Sequence, residues 1–166
     1  MKQLVSEPLA ARHDRESFRC GVQELDFYLQ KQATQDVRRK VAAVYVLVNS
    51  AAPTVIAGYY TLSSFAVETT DLSEEVQKKL PRYPLTPATL LGRLARDLQF
   101  PGIGEYLLMD ALKRVLLHAG QIASAAVVVD VKNETARKFY LKHGFLPFQR
   151  KGGRLFLPMK TVQAIG

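Results

Sequence analysis

The sequence has little cysteine and no tryptophan, and Cys20 is its one cysteine. A lone cysteine excludes a disulfide within the chain and is typical of proteins from a reducing compartment. The histidines His13, His118 and His143 are far apart in sequence, and no cysteine and histidine cluster has zinc spacing. The sequence therefore predicts no disulfide framework, and we expect no metal cofactor.

Long apolar segments are also missing, because charged residues interrupt every hydrophobic stretch before it reaches the length of a membrane span. The opening MKQLVSEPLAARHDR lacks the basic head, apolar middle and cleavage site of a secretory signal. The chain has 166 residues, 48% of them hydrophobic, which suits one compact domain over residues 1–166. We expect a cytoplasmic protein.

Acidic residues are outnumbered, with 15 Asp and Glu against 23 Lys and Arg, and the formal net charge is +8. Such an excess of positive charge favours a polyanionic partner, either nucleic acid or a phosphorylated ligand. A basic surface on an ordinary globular protein would give the same balance. Charge alone does not separate these two interpretations.

Hydrophobic periodicity predicts a mixed order of helices and strands. VAAVYVLVNS and TVIAGYYTLSSFAVE, separated by turn residues, are typical of a hairpin, and further strands are predicted at TLLGRLARDL, SAAVVVD, FLPF and RLFLPM. Helices are predicted at FRCGVQELDFYLQ, KQATQDVRRK, DLSEEVQKKL, residues 105–119 and NETARKFYLKHG. The polar stretch Thr69–Pro87 is interpreted as an insertion over the sheet. The central strand–helix–strand unit predicts parallel strands with a right-handed crossover.

The segment QFPGIGEYLL joins a predicted strand to the longest predicted helix. A helix N-terminus offers amide groups without intrahelical partners and a partial positive charge, which together attract anions. Gly102 and Gly104 lack Cβ atoms, so a phosphate can come close to the main chain there. The same spacing suits an ordinary strand-to-helix turn, and a short glycine motif alone does not separate the two.

Two common phosphate loops are excluded by the surrounding residues. A dinucleotide fingerprint requires a third glycine where Leu107 stands, and the Gly-Lys-Ser/Thr of a Walker loop does not occur. The remaining pattern, Gln99 followed by Gly102 and Gly104, resembles the acetyl-coenzyme A (acetyl-CoA) pyrophosphate loop of the GCN5-related N-acetyltransferases (GNAT). In that family the loop joins the fourth strand to the third helix.

A second segment carries the same resemblance, because VVVDVKNETARKFYLKHGF is similar to the family's strand, asparagine, and helix with an A-x-x-F-Y pattern and a G-F end. The resemblance implies the α/β (α+β) GNAT fold, a mixed central sheet of about six or seven strands flanked by about four helices. FRCGVQELDFYL, GYYTLSS and RYPLTPATLLGRLARD are similar to a narrower branch, the acetyltransferase toxins of bacterial toxin–antitoxin pairs.

That branch implies an enzyme that transfers acetyl from acetyl-CoA to the α-amino group of aminoacyl-tRNA and so blocks translation. It also implies a homodimer, and a cognate antitoxin of the ribbon-helix-helix type through which the pair binds promoter DNA. Other acceptors remain open, namely protein N-termini, lysines or small amines. A domain that binds acetyl-CoA without catalysis is a further alternative.

The resemblance assigns roles to individual residues. Tyr140 stands where the family has the general acid for the CoA thiolate, whereas the residues alone also allow an aromatic packed in the core. Three positions depart from the branch, which commonly has an apolar residue in place of Arg96 and basic or small residues in place of Phe100 and Pro101. Pro101 also removes one loop amide. The implied cofactor-binding residues are Leu94, Ala95 and Arg96 on a bulged strand, Gln99, Gly102, Ile103, Gly104 and Glu105 in the loop, and Asn133, which also suits a helix cap.

No general base stands out, because Asp97, Asp130 and Glu68 each suit a structural or solvated role. A lysine amine, with a pKa of about 10.4, needs a base to react near neutral pH, whereas an α-amino group titrates at about 7.7–8.0. The absence of a clear base therefore fits an aminoacyl-tRNA acceptor.

Basic residues are clustered in DVRRK and flank the predicted active-site strand. Phosphates of tRNA would be met by such charges, and binding would then weaken with salt. Solvated surface residues explain the same positions. The candidates for tRNA binding are Arg38, Arg39, Lys40, Arg82 and Arg93.

Overall fold

The computed structural model describes residues 3–150 and 152–165. Its strands are β1 (Leu4–Pro8), β2 (Ala43–Asn49), β3 (Ala52–Glu68), β4 (Leu85–Arg96), β5 (Ala126–Asp130), β6 (Leu146–Pro147) and β7 (Arg154–Pro158). Its α-helices are α1 (Gln23–Phe27), α2 (Ala33–Arg38), α3 (Glu74–Gln77), α4 (Gly104–Ala119), α5 (Glu134–Lys142) and α6 (Met159–Ile165). A π-helical turn covers Tyr28–Gln32, and a 3-10 turn covers Thr69–Asp71.

The strands form a mixed sheet, as the sequence predicts. Its order is β1-β2-β3-β4-β5-β7-β6, with seven strands among the described residues. Strand β2 pairs antiparallel with β1 and β3, and β7 pairs antiparallel with β5 and β6. Strands β4 and β5 are parallel, with Leu90 opposite Val128, which confirms the predicted parallel pair. The predicted β2–β3 hairpin is also confirmed.

The chain forms two compact units, of which the first extends up to Ser63 and includes Arg93–Ala111. Its core contains β2, β3 and the N-terminal helical run, and Tyr59 and Leu29 are fully buried there. Apolar side chains at helical spacing explain why residues 23–38 fold onto the sheet. The two helices predicted in this stretch are joined through the π turn at Tyr28–Gln32.

The second unit comprises Ser64–Gly92 and the chain from Leu112 onward. Its core is built on β5, whose residues 126–129 are all buried, and on Phe148 and Phe156. A continuous run of buried apolar residues confirms the prediction of a strand covered on both faces. Over the described residues, no helix combines the length and apolar character that crossing a bilayer requires.

Several predicted boundaries are wrong. The polar insertion ends before Leu85, because β4 already begins there and contains Pro87, whose carbonyl accepts from Ala125 N. Proline is tolerated in a strand where only its carbonyl is needed for pairing. The helix predicted at DLSEEVQKKL is reduced to Glu74–Gln77. Strand β1 and helix α6 were not predicted, since each is short and has no clear hydrophobic period.

Candidate active site

The loop after β4 is anchored by Asp97, a buried carboxylate in the first unit. Its two oxygens accept from the backbone amides of Arg19 and Gln99, each at 2.9 Å. Its own amide donates to Ala57 O at 2.8 Å. Asp97 therefore fixes the direction in which the chain leaves the strand. With both oxygens engaged by main chain, it is not placed as a general base.

Replacing Asp97 with alanine will leave two amides without their acceptors. Both hydrogen bonds are partly buried and have a charged acceptor, so we expect the free energy of unfolding to fall by about 2–3 kcal/mol in total. Urea denaturation measures the change. Asp130→Ala is the control, because Asp130 is 39% exposed in a surface pair with Arg154 and its loss costs at most about 1 kcal/mol. Equal losses in the two variants would contradict the anchoring role.

The glycine loop opens onto the start of α4. Gly102 has a φ of +82°, and a Cβ added there would meet no atom within 4 Å. The positive φ explains why glycine is needed, and the open space leaves the main chain accessible. The first helical hydrogen bond runs from Leu107 N to Ile103 O at 2.8 Å. The amides of Gly104 and Tyr106 precede it, so they have no intrahelical acceptor and can hold an anion.

The predicted loop residues have different exposures. Gln99 and Glu105 are exposed and Gly104 is half-buried. Ile103 is buried at 7% exposure, so its side chain anchors the loop while its backbone begins the helix. Pro101 lies ahead of the helix start, in the turn where Phe100 N donates to Asp97 O at 3.0 Å. The amide that proline removes is therefore not one of the first amides of α4.

The end of β4 supplies the predicted pantetheine segment. Ala95 is buried and belongs to the first core, whereas Leu94 and Arg96 are half-buried. This alternation is that of an extended strand. Gly58 of β3 allows a close approach, since a Cβ there would stand 3.0 Å from Ala95 O and 3.1 Å from a Leu107 methyl.

Tyr140 lies on α5 in the second unit, with 8% of its surface exposed. Its ring packs edge-on against Phe139 and Phe145, with centroid distances of 5.3 Å and 5.1 Å. Among the described residues its hydroxyl forms no hydrogen bond, and no fully buried side-chain oxygen lacks a partner. The Tyr140 oxygen therefore reaches the surface of the protein while its ring is held in place.

The end of α5 explains how that ring is held. Gly144 has a φ of +93°, its amide donates to Leu141 O, and Phe145 N donates to Tyr140 O, both at 3.1 Å. These two bonds form a Schellman motif, which brings the residue after the glycine against the last turn of the helix. The predicted glycine stop is thus confirmed, and it places Phe145 beside Tyr140. Burial raises the pKa of Tyr140, so the phenol stays protonated at neutral pH.

Asn133 caps the same helix, as predicted. Its side-chain oxygen accepts from Ala136 N at 2.8 Å, and its backbone is extended as at an N-cap. The residue is exposed, so it is accessible to a ligand as well.

The other two candidate bases are engaged or solvated. Asp130 accepts from Arg154 Nε at 2.6 Å. Glu68 is 65% exposed and stands 3.7 Å from Arg150. In the part of the chain that the structure describes, no group of three or more His, Cys, Asp or Glu is arranged to hold a metal ion.

The basic candidates fall into three surroundings. Arg38, Arg39 and Lys40 are exposed at the end of α2, where Lys40 has a φ of +61°. Arg82 lines a groove of about 540 Å³ in the second unit, next to Tyr83, which is 67% exposed. Arg93 instead lies over the ring of Tyr28, with its guanidinium carbon 3.5 Å from the centroid.

Two residues near Arg93 were missed as functional candidates. Tyr28 was interpreted only as part of a helix face, and Asp36 was not singled out. Tyr28 OH donates to Asp36 Oδ2 at 2.7 Å, and Gln32 Nε2 donates to Asp36 Oδ1 at 3.0 Å. No periodic pattern indicates this contact, because the π turn begins at Tyr28 and changes the helical register.

Comparison with known proteins places the chain among acetyltransferase toxins. No protein-family model matches it. A relative from Sinorhizobium fredii, described as a probable toxin TacT, is 32% identical over 97% of this chain and 94% of its own length. A Mycobacterium tuberculosis protein, described as a tRNA-acetylating toxin, is 31% identical over 92% of this chain and 90% of its own length.

Solved structures agree with these relatives. A tyrosine-to-phenylalanine variant of KacT has a TM-score of 0.91 and 30% identity, covering 99% of this chain and 100% of that one. AtaT in complex with acetyl-methionyl-tRNAfMet has a TM-score of 0.90 and 30% identity, covering 98% and 99%. AtaTR bound with acetyl-CoA has a TM-score of 0.84 and 31% identity, covering 98% and 97%. A complex of KacTA with DNA has a TM-score of 0.81 and 27% identity, covering 98% of each chain.

The fold is thus that of a GNAT acetyltransferase, as the sequence resemblance implies. Within that class, the chain belongs to the family of tRNA-acetylating toxins.

Proposed function

We propose that this protein transfers the acetyl group of acetyl-CoA to the α-amino group of aminoacyl-tRNA and thereby blocks translation. The observation that carries the proposal is the Tyr140 phenol, whose ring is fixed and whose hydroxyl has no partner among the described residues. Its place in the A-x-x-F-Y segment, which resembles the helix of the GNAT family, supports the proposal. Residues 1–166 would act as one acetyltransferase domain.

The cofactor is acetyl-CoA, and the glycine loop is its proposed diphosphate site. The amides at the start of α4 supply hydrogen bonds and a positive potential, and Gly102 leaves room for the phosphate oxygens. Leu94, Ala95 and Arg96 would pair through their backbone with the pantetheine amides. Asn133 is proposed as a further contact to that arm.

The chemistry needs one attack and one departure. The neutral amine nitrogen forms a bond to the acetyl carbon, and the carbon–sulfur bond then breaks to release the CoA thiolate. The Tyr140 hydroxyl gives its proton to that sulfur as the sulfur gains charge, so CoA leaves as a thiol. The amine nitrogen loses one proton on becoming an amide, and this proton returns the Tyr140 oxygen to its neutral phenol form. Backbone amides of β4 are proposed to stabilise the tetrahedral oxyanion.

The environments of the three candidate general bases favour aminoacyl-tRNA as the acetyl acceptor. Asp97 and Asp130 accept hydrogen bonds from the main chain and from an arginine, and Glu68 is solvated. An acceptor that is already neutral near pH 8 needs none of them. An aminoacyl ester meets this condition, whereas a lysine does not.

We propose further partners from the resemblance to the toxin branch. The surface of Arg38, Arg39, Lys40 and Arg82 is proposed to meet tRNA phosphates. A ribbon-helix-helix antitoxin, a homodimer, promoter DNA bound through the antitoxin and a cytoplasmic location are part of the same proposal.

The test incubates the purified protein with labelled acetyl-CoA and three acceptors: charged tRNA, uncharged tRNA, and a lysine-rich protein. We expect label on charged tRNA, released with the amino acid when the ester is hydrolysed. Label on lysines alone would indicate an acetyltransferase that acts on proteins and not on tRNA. Binding of acetyl-CoA without transfer to any of the three would indicate a domain without catalysis.

A further inference from the structure

Arg93 has a different environment from the exposed basic residues. It is half-buried at the point where β4 enters the first unit, and its guanidinium carbon stands 3.5 Å from the centre of the Tyr28 ring. A cation this close to an aromatic face is attracted by the ring quadrupole. The guanidinium plane therefore has one supported face.

The support under Arg93 is rigid. Tyr28 is 5% exposed and stacks on Tyr59 with an interplanar angle of 10° and a centroid distance of 6.3 Å. Phe18 packs edge-on against Tyr59 at 5.4 Å. Both phenols are tied down, Tyr28 to Asp36 and Tyr59 to Leu25 O, each at 2.7 Å. The arginine is thus held in one place before any ligand arrives.

The N–H donors of Arg93 are not used by any residue that the structure describes. Across residues 3–150 and 152–165, Arg93 donates no hydrogen bond and forms no ion pair within 4.0 Å. The charged group that faces it is Asp36, whose oxygens are taken by Tyr28 and Gln32. A guanidinium stacked by its face directs its N–H groups outward in a plane, the geometry that matches two oxygens of a phosphate.

The place of Arg93 along β4 indicates which phosphate of the substrate it would bind. If the glycine loop holds the diphosphate and residues 94–96 hold pantetheine, the acyl end of the cofactor points toward Arg93. The acceptor amine must meet the acyl carbon there. In aminoacyl-tRNA, that amine is separated from the last phosphodiester only by an ester and one ribose.

We propose that Arg93 binds the last phosphodiester of the tRNA acceptor end and so positions the α-amino group for attack. The inference rests on the proposed function and adds the substrate group that this residue recognises. The Tyr28 platform provides rigidity, and Asp36 limits how strongly the empty site attracts anions. Arg93 is a substrate-positioning residue and takes no part in proton transfer.

The first test compares two acceptors that carry the same amino acid. One is aminoacyl-tRNA and the other is a 3′-aminoacyl adenosine, which has no phosphate. Arg93→Gln should lower kcat/KM for the tRNA by about 30-fold, the loss expected for one charge-assisted pair, and for the nucleoside by less than about 3-fold. Lys160→Gln removes an exposed charge from α6 and is the matched control. Calorimetry with acetyl-CoA should give wild-type affinity in both variants.

A binding measurement tests the proposal independently of acetyl transfer. Uncharged tRNA with a normal last linkage is compared with tRNA whose last linkage is a neutral methylphosphonate. Wild-type protein should bind the tRNA with the anionic phosphodiester about 10-fold or more tightly than the methylphosphonate form, and Arg93→Gln should lose this preference. Asp36→Asn, which removes the opposing charge, should tighten binding of the normal tRNA by about 2- to 5-fold.

The outcomes separate the two claims. The role of Arg93 would be overturned if Arg93→Gln lowered kcat/KM equally for both acceptors. It would also be overturned if the wild type showed no preference for the anionic phosphodiester, even where aminoacyl-tRNA is acetylated. Weaker tRNA binding in Asp36→Asn would also contradict it, since that result indicates structural support alone. If the wild type preferred the anionic phosphodiester but acetylated neither acceptor, the role of Arg93 in binding would be supported and the proposed reaction would be rejected.

Discussion

Replacing Tyr140 with phenylalanine will slow acetyl transfer by about 100-fold or more, the usual contribution of a positioned acid. The phenol is the group expected to meet the departing sulfur, and phenylalanine keeps the ring while removing the proton. Single-turnover transfer from acetyl-CoA to charged tRNA measures the loss. Turnover at the wild-type rate would exclude Tyr140 from the mechanism.

The same variant should fold and bind the cofactor normally. The Tyr140 hydroxyl makes no hydrogen bond among the described residues, so its loss leaves no buried donor or acceptor unpaired. The packing against Phe139 and Phe145 involves only the ring. We expect a change below about 0.5 kcal/mol in the free energy of unfolding.

Tyr60→Phe is the matched control for this substitution. Tyr60 is fully buried, and its hydroxyl donates to Asp110 Oδ2 at 2.7 Å. Removing it should lower stability by about 1–2 kcal/mol and leave the chemical step unchanged. The two variants should therefore show opposite patterns in denaturation and in transfer. A shared pattern would indicate that Tyr140 acts through stability.

Gly102→Ala has the second large expected effect, on acetyl-CoA affinity. The Cβ would enter the open space over the loop, where the diphosphate is proposed to approach the amides of α4. Loss of close charge-assisted hydrogen bonds should weaken binding by about 100-fold, measured by calorimetry. The left-handed φ of +82° adds about 1 kcal/mol of backbone strain.

Two other glycines separate these contributions. Gly153 has a φ of +84°, and its added Cβ would meet only Val131 O at 3.7 Å, so Gly153→Ala carries the strain without the blocked loop. Gly120→Ala has open space and no positive φ, and should change neither property. If Gly153→Ala weakened acetyl-CoA binding as much as Gly102→Ala, strain would be the cause and the loop would lose its role.

The elements predicted correctly are those with local signals. Helix α4 carries an apolar face over sixteen residues, and the β2–β3 hairpin carries β-branched runs around turn residues. Both signals lie within short contiguous segments, so these elements can be predicted without knowledge of distant contacts. The two ends of α5 were predicted correctly from Asn133 at its start and Gly144 after its last residue, because caps depend on neighbouring backbone groups.

Predictions that depended on distant contacts were incomplete. Asp97 was considered as a base, yet it anchors the loop through Arg19, which lies 78 residues away in sequence. Pro87 was assigned to an insertion and lies in β4. Arg93 was predicted as one of five basic candidates for tRNA binding, with no indication that it lies on Tyr28. Each depends on a partner that hydrophobic periodicity does not indicate.

By itself the sequence determined the family, the order of the main elements and the loop and helix that carry the candidate chemistry, because these are properties of contiguous residues. Only the tertiary structure decided that the Tyr140 ring is fixed while its oxygen has no hydrogen-bond partner among the described residues, and that Arg93 lies on the ring of Tyr28. The contact of Arg93 with Tyr28 joins residues that are far apart in the chain. The surroundings of the Tyr140 oxygen depend on what the folded chain places around it, so neither feature exists before the backbone has folded.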